Sequence, residues 1–244
     1  YAGTVYPLQA RNLRAILLAG QGKYADAERD LRTALRANPS SAETHNNLGK
    51  LYAAQGRHGE AFLEFEQALQ IDPADPTARL NLGFLYESEG KHDEALAAFD
   101  EMVRRRPDDY RAYYAKGQTF LRMEFLEEAI EHFRKSVALK GDFFDGCLGL
   151  GYACSAAGQW REAESSLRKA VRIQPKNPKG YYALGRMYAQ RGDNGRSVKA
   201  LRKAVALDPL YFEGHLALGV SYAEGKNFKA AANEFTKAAE LDKR

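Results

Sequence analysis

The chain has 244 residues, of which 45% are hydrophobic and 28% are charged, as in an ordinary globular protein. Thirty-six basic residues against thirty-two acidic ones leave a formal net charge of +4, which is low for a nucleic-acid-binding protein of this length. No apolar run approaches the roughly 20 residues that a membrane-spanning helix needs.

The chain begins with Tyr1, and no basic-then-apolar signal segment stands at its start. Residues 1–7 are expected to form an N-terminal extension, either of a processed protein or of a piece cut from a longer one. The compartment is not fixed by the sequence. A cytoplasmic location is slightly favoured, and a periplasmic or membrane-associated one stays open if Tyr1 is a processed terminus.

A 34-residue period runs through the rest of the chain. Six glycines stand 34 residues apart: Gly49, Gly83, Gly117, Gly151, Gly185 and Gly219. A second series with the same period runs through Ala27, Ala61, Ala95, Ala129, Ala163, Ser197 and Ala231. Fixed self-similarity of this kind indicates a stack of equal supersecondary units.

Seven units are predicted, starting near residues 8, 42, 76, 110, 144, 178 and 212, and each consists of two helices. In the second unit, Leu48 and Tyr52 lie on one helical face, and Gly56 ends the first helix because glycine accepts the left-handed cap conformation. Pro73 ends the second helix because it lacks an amide hydrogen. Gly49 and Ala61 are expected to let neighbouring backbones approach.

The fourth unit is the least regular. It has Lys116, Glu124, Ser136 and Gly141 where the other units mostly have Leu, Gly, Ala and Pro. A hinge or a partner contact is one interpretation. Tolerated drift is the favoured one, because each repeat of such a stack packs only on its neighbours.

The pattern resembles the tetratricopeptide repeat family over residues 8–244. The second unit carries the residues typical of that family: Leu48, Gly49, Tyr52, Gly56, Ala61, Phe65, Ala68 and Pro73. The resemblance implies one all-α domain, a right-handed superhelical solenoid of antiparallel helix pairs. Family members often end in a polar capping helix, whereas this sequence stops at Arg244, so either further chain or a partner is expected to cover the open end.

No catalytic, metal or cofactor site is expected. The five histidines are scattered, and His58 and His92 share a position that is aromatic in other units, which favours packing over metal binding. Cys147 and Cys154 are seven residues apart on one helix, about 10.5 Å along its axis, too far for a disulfide. Both fall on the core face, which predicts buried structural thiols.

In the tetratricopeptide family, positions 5 and 9 of each unit, counted from its first residue, line the concave groove. In this chain these rows hold nine aliphatic or aromatic residues, three amides, two cations and no acid. An apolar strip of this kind is typical of a binding surface. The candidate partner-binding residues on and beside these rows are Asn46, Lys50, Asn81, Phe84, Arg111, Tyr114, Gln118, Tyr152, Tyr182 and Arg186.

Lys50 and Arg111 also partly match a family pattern that grips a terminal carboxylate, with Ala115 in place of its last Arg. The leading hypothesis is a non-enzymatic scaffold that holds a partner segment with acidic and aromatic or aliphatic side chains in the groove. The alternative is a recruitment region of a larger enzyme or membrane-associated assembly. RNA binding is less favoured, because Glu43, Glu87 and other acids are expected on the same surface.

Overall fold

The structure, a computed structural model, describes residues 8–242. The expected extension at 1–7 and the last two residues lie outside the described residues. Within 8–242 the chain forms fourteen α-helices and no strand: α1 (Leu8–Gly20), α2 (Tyr24–Ala37), α3 (Ala42–Ala54), α4 (His58–Ile71), α5 (Pro76–Ser88), α6 (His92–Arg105), α7 (Tyr110–Arg122), α8 (Leu126–Leu139), α9 (Phe144–Ala156), α10 (Trp160–Ile173), α11 (Pro178–Gln190), α12 (Asn194–Leu207), α13 (Phe212–Glu224) and α14 (Phe228–Asp242).

The helices alternate between a first helix of 13 residues and a second of 14 or 15. The first helices begin at the residues that the sequence period predicts: Leu8, Ala42, Pro76, Tyr110, Phe144, Pro178 and Phe212. The all-α class and the helix pairs predicted from the sequence are therefore confirmed. The fourth unit keeps the same helix lengths, so its unusual residues do not disturb the register.

The chain divides into two compact units, Tyr1–Ala115 (unit 1) and Lys116–Arg244 (unit 2). The boundary falls within α7 of the fourth repeat. A single domain over 8–244 stays a prediction, and the two units are described separately below.

The glycine series is explained by close packing inside each helix pair. A Cβ atom added to Gly83 would lie 2.3 Å from the Phe99 ring, far inside van der Waals contact. Gly49 and Phe65 stand in the same relationship one repeat earlier, at 2.6 Å. The first helix thus needs glycine at this position because the large side chain of the second helix occupies the space. The predicted packing role of the glycine therefore takes the form of a ring seated on it, where the sequence predicted an approach of two backbones.

The turn between the two helices of each repeat contains one residue in the left-handed backbone conformation, with positive φ. Five of these positions are glycine, as predicted for Gly56: Gly22, Gly56, Gly90, Gly158 and Gly192. In the fourth and seventh repeats Glu124 and Lys226 adopt the same conformation, with φ of 62° and 59°. Side chains with a Cβ atom are disfavoured there, so both turns carry local strain.

Candidate functional site

The position-5 residues of unit 1 form part of the repeat packing. Asn12 is fully buried and donates a hydrogen bond to Thr44 Oγ1 at 3.0 Å. Asn46 is only 6% exposed and accepts a hydrogen bond from the Asn81 side-chain amide at 2.8 Å. The prediction that Asn46 faces a partner is therefore wrong. Its side-chain oxygen instead accepts a hydrogen bond that joins α3 to α5. A buried polar group needs such a partner inside the protein.

The position-9 residues of unit 1 are more open. Ile16 and Phe84 are 47% and 38% exposed, and Lys50 is exposed. One side of the Phe84 ring packs on its own chain, because this ring meets the buried Phe99 ring edge-on, with 5.6 Å between centroids. Ile16, Lys50 and Phe84 are thus the accessible position-9 residues of the predicted strip in this unit.

Arg111 already holds a carboxylate of its own chain. Its Nε and Nη2 atoms donate to the two oxygens of Asp109 at 2.9 and 2.7 Å. Burial alone would raise the pKa of Asp109, but the hydrogen bonds from Arg111 outweigh burial and hold this pKa below its usual value. Because Asp109 occupies the Nε–Nη2 edge of Arg111, the structure does not favour Arg111 as half of a terminal-carboxylate grip.

α7 carries two further candidate residues, Tyr114 in unit 1 and Gln118 in unit 2. Both are half-buried, and both already interact with other residues of the chain. Because both side chains remain partly exposed, Tyr114 and Gln118 stay candidate partner-binding residues.

In unit 2 the structure brings three of the predicted residues together. The Arg186 guanidinium lies 5.9 Å from the centre of the Tyr182 ring. Tyr152 and Arg186 line one pocket of about 330 Å³, with Leu121, Ser155, Ala156, Ala183, Met187 and Gln190. Burial raises the pKa of the Tyr152 phenol to about 12, with a further rise from Tyr182, while Arg186 acts in the opposite direction. The phenol therefore stays a neutral hydrogen-bonding group at physiological pH.

A fourth member of this group, Tyr211, was missed by the sequence reasoning. It lies in the turn before α13, and its ring meets the Tyr182 ring edge-on at 5.2 Å. Burial, and then the Tyr152 and Tyr182 phenols, raise the pKa of Tyr211. Tyr211 also lines a neighbouring cleft of about 720 Å³ that includes Lys176 and Lys179. We call Tyr152, Tyr182, Arg186 and Tyr211 the inner cluster.

The cysteines lack the environment of a reactive thiol. Cys147 and Cys154 are free and fully buried, which confirms the predicted core position. Burial raises the pKa of both thiols, and that of Cys154 to about 12. Because the thiolate is the nucleophilic form, neither sulfur is suited to attack a substrate.

Several histidines lie beside carboxylates of their own chain. His92 and His58 are half-buried, as predicted, and their Nδ1 atoms lie 3.0 Å from Glu87 and 3.6 Å from Glu89. Among residues 8–242 no three His, Cys, Asp or Glu side chains gather as a metal site. None of the helices in that range has the length and apolar character required to cross a membrane.

Family models match most of the chain. Tetratricopeptide repeat models match residues 12–76, 52–118, 110–143 and 147–179, and a TPR repeat model matches residues 185–225. The fold thus defines a helical-repeat protein of stacked helix pairs. The chain belongs to the tetratricopeptide repeat family, which is generally a non-enzymatic protein-interaction fold. A search of curated proteins found no match.

Solved structures share this fold. A tetratricopeptide repeat protein from Parabacteroides merdae is 20% identical, with a TM-score of 0.73 over 96% of this chain and 93% of that one. MamA from Desulfovibrio magneticus is 26% identical, with a TM-score of 0.61 over 69% of this chain and 95% of its own. YrrB, described as a TPR protein with an unusual peptide-binding site, is 20% identical, with a TM-score of 0.57 and coverage of 75% and 95%.

Proposed function

We propose that the chain is a non-enzymatic scaffold that holds a segment of a partner protein on the inner cluster of unit 2. The observation that carries this proposal is the meeting of Tyr152, Tyr182 and Arg186 beside one pocket. Aromatic rings and arginine are the residues that most often anchor protein interfaces. The peptide-binding site attributed to YrrB supports such a role for this fold.

The chemistry of the inner cluster selects the partner segment. An apolar or aromatic side chain would enter the pocket beside Tyr152, because a ring whose phenol stays neutral offers both an apolar face and a hydrogen-bonding tip. An acidic side chain would pair with Arg186, which forms no salt bridge with any residue in 8–242. Lys176 and Lys179, in the adjoining cleft, extend the positive charge toward the same segment.

The Tyr182–Tyr211 contact also lowers the cost of binding. The Tyr182 ring meets the Tyr211 ring edge-on, and the Arg186 guanidinium lies over the Tyr182 ring. A side chain that is already ordered loses little conformational entropy when a partner covers it, so more of the contact energy appears as affinity.

The test uses a fluorescent peptide selected from a random-sequence display library against the full chain. Tyr182→Ala should weaken binding by about 2 kcal/mol, roughly thirtyfold, because it removes a central aromatic anchor. Arg186→Glu should weaken it too, with an effect that shrinks as salt screens the charge. The matched control for the first change is Tyr181→Ala, because Tyr181 precedes Tyr182 on the same helix and lines a different groove. The matched control for the second change is Arg172→Glu, on α10.

Both controls should leave the affinity within about twofold of the parent, since neither residue belongs to the inner cluster. If the peptide bound the Tyr182→Ala and Arg186→Glu variants as tightly as the parent, the inner cluster would not be the binding surface. Loss of binding in Tyr181→Ala alone would have the same meaning.

A further inference from the structure

A second groove of unit 2 lies on a face of α11 away from the inner cluster. Its volume is about 820 Å³, and Tyr181, Leu184 and Tyr188 of α11 line it. These three residues are spaced by three or four positions and share one helical face, whereas Tyr182 and Arg186 share another. Helices α10 and α12 both pack on α11 and supply the two sides of the groove.

The charge of this groove has one sign. Among the described residues that line it, none is an acid and five are cations: Arg168, Arg196, Lys199, Arg202 and Lys203. We call it the basic outer groove. The surrounding sequence has the same bias, because residues 165–207 contain eleven Lys or Arg against one acid, Asp193. The rest of the chain has more acids than bases, so the positive charge of the protein is concentrated in this region.

Three of the five cations are available to a partner. The other two, Arg168 and Arg196, pair with Glu164 of their own chain. The available three are exposed and form no salt bridge with any residue in 8–242. Two of them, Lys199 and Lys203, stand about one turn apart on α12, roughly 6 Å along its axis. They present a row of uncompensated positive charge along the groove.

The base of the basic outer groove is apolar. Leu184 and Val198 line it together with two alanines. Tyr188 is only 4% exposed, and the Arg196 guanidinium lies 5.3 Å from the centre of its ring. The Tyr188 ring is therefore not a platform on which a nucleic-acid base could stack. Because the apolar side chains lie between helices, a flat bilayer surface would not reach them. A protein segment with both acidic and apolar side chains fits these features.

The helix-pair fold itself does not require this charge. The equivalent groove three repeats earlier has two arginines and two glutamates in its lining: Arg79, Arg104, Glu94 and Glu101. The two repeat positions that hold glutamate in that groove hold Arg196 and Lys203 in the basic outer groove. A single sign of charge is thus a property of this groove and not of the repeat geometry.

We infer that the basic outer groove binds an acidic helical segment of another protein. Carboxylates at positions i and i+4 of such a helix pair with Lys199 and Lys203, which have the same spacing. An apolar side chain beside them covers Leu184 and Val198, as when an amphipathic helix lies in a groove. Charge complementarity orients the segment and speeds its approach. The site uses no residue of the inner cluster and stands independently of the proposed function.

The test uses peptides selected from a random-sequence display library on the full chain. Peptides that also bind the Lys199→Glu, Lys203→Glu double variant are removed, so that the retained peptides depend on the groove. The retained peptides should carry Asp or Glu four residues apart, with an apolar residue beside them. Fluorescence anisotropy of one labelled peptide should show binding about tenfold or more weaker in the double variant. Val198→Ser should weaken binding several-fold, because it removes part of the apolar base.

The matched control is Lys226→Glu combined with Lys229→Glu. Both lysines are exposed residues of unit 2 outside the groove, and the change in net charge is the same. This control should bind the peptide within about threefold of the parent, since surface changes away from a site have small effects. Tyr182→Ala should also bind it like the parent, which separates this site from the inner cluster. Circular dichroism checks that the helices persist in each variant.

The inference is overturned if the selection retains no peptide, or if the retained peptides are not acidic. It is also overturned if the control reversal weakens binding as much as Lys199→Glu with Lys203→Glu, because the attraction would then be non-specific. Binding of phosphatidylserine vesicles or of oligouridylate RNA, lost in Lys199→Glu with Lys203→Glu and without any retained peptide, would instead assign the groove to a lipid surface or to RNA.

Discussion

The ring of Tyr182 meets the ring of Tyr211 edge-on, with 5.2 Å between centroids and an interplanar angle of 62°. Tyr182 belongs to helix α11 and Tyr211 to the turn before α13, so the contact packs Tyr182 against the turn that leads into the next helix pair. Aromatic pairs in this geometry contribute about 0.5–1.5 kcal/mol beyond the area that they bury. The contact therefore restricts the Tyr182 side chain within the chain itself.

A double-mutant cycle should measure this coupling. Tyr182→Ala and Tyr211→Ala should each lower the free energy of unfolding, and the double variant should lose less than the sum by about 0.5–1.5 kcal/mol. Urea unfolding followed by circular dichroism gives the four values. Tyr181→Ala combined with Tyr211→Ala is the control and should be additive. Additivity in both cycles would show that the Tyr182–Tyr211 contact contributes nothing.

The sequence predicted the fold well because the contacts that build it recur every 34 residues. The Gly83–Phe99 contact is repeated in almost every unit, so its trace in the sequence is periodic. The Asn46–Asn81 hydrogen bond is not repeated, and it depends on how closely α3 and α5 approach. The 34-residue period does not indicate Tyr211 either, because Tyr211 stands in a turn, outside the helical rows of positions 5 and 9.

Replacement of a packed glycine should be costly, and replacement of an exposed one should not. Gly83→Ala should destabilise the chain by about 1–3 kcal/mol, because the new methyl group would lie 2.3 Å from the Phe99 ring. Gly59, within α4, has no atom within 4 Å of its added Cβ. Gly59→Ala should therefore stabilise the chain, by about 0.5–1 kcal/mol, through helix propensity alone. Thermal or urea unfolding measures the change in stability of each variant. Equal effects of the two substitutions would contradict the close packing at Gly83.

Removing the backbone strain in the turn of the fourth repeat should raise the stability of the chain. Glu124→Gly should raise the free energy of unfolding by about 0.5–1 kcal/mol, since glycine adopts the φ of 62° without a Cβ clash. Glu124→Ala is the matched control. It removes the same carboxylate but keeps a Cβ atom, so it should bring no gain. A gain of equal size in both variants would assign the effect to charge and not to the backbone.

The buried thiols should be protected in the native state. Cys147 and Cys154 should react with a bulky disulfide reagent at least a hundredfold more slowly in buffer than in guanidinium chloride. Both lie inside the core, and the raised thiol pKa leaves little thiolate at neutral pH. Absorbance of the released thiol chromophore gives both rates. Rapid reaction of one equivalent in the folded protein would show that α9 exposes a thiol.

The stability of the last repeat should depend on the ionisation of Glu234. Its carboxylate lies 2.6 Å from His215 Nδ1 and 2.8 Å from Lys237 Nζ, and the carboxylate is almost fully buried. Burial acts to raise its pKa, but the hydrogen bonds from Lys237 and His215 outweigh burial and lower the pKa from 4.5. A lowered folded-state pKa means that the carboxylate stabilises the fold above the unfolded value and that this contribution is lost as the pH falls through the folded value.

Glu234→Gln should therefore cost about 1–3 kcal/mol at neutral pH, because Lys237 loses its counter-charge and His215 Nδ1 loses its carboxylate acceptor. The difference between parent and variant should shrink as the pH falls below 4.5, where Glu234 itself begins to bind a proton. Urea unfolding at neutral pH and at about pH 3 measures both differences. Glu240→Gln, an exposed residue of the same helix, is the control and should show no comparable cost at either pH. A Glu234→Gln cost that stayed constant across this range would mean that the Glu234 carboxylate stabilises the repeat through its shape and not its charge.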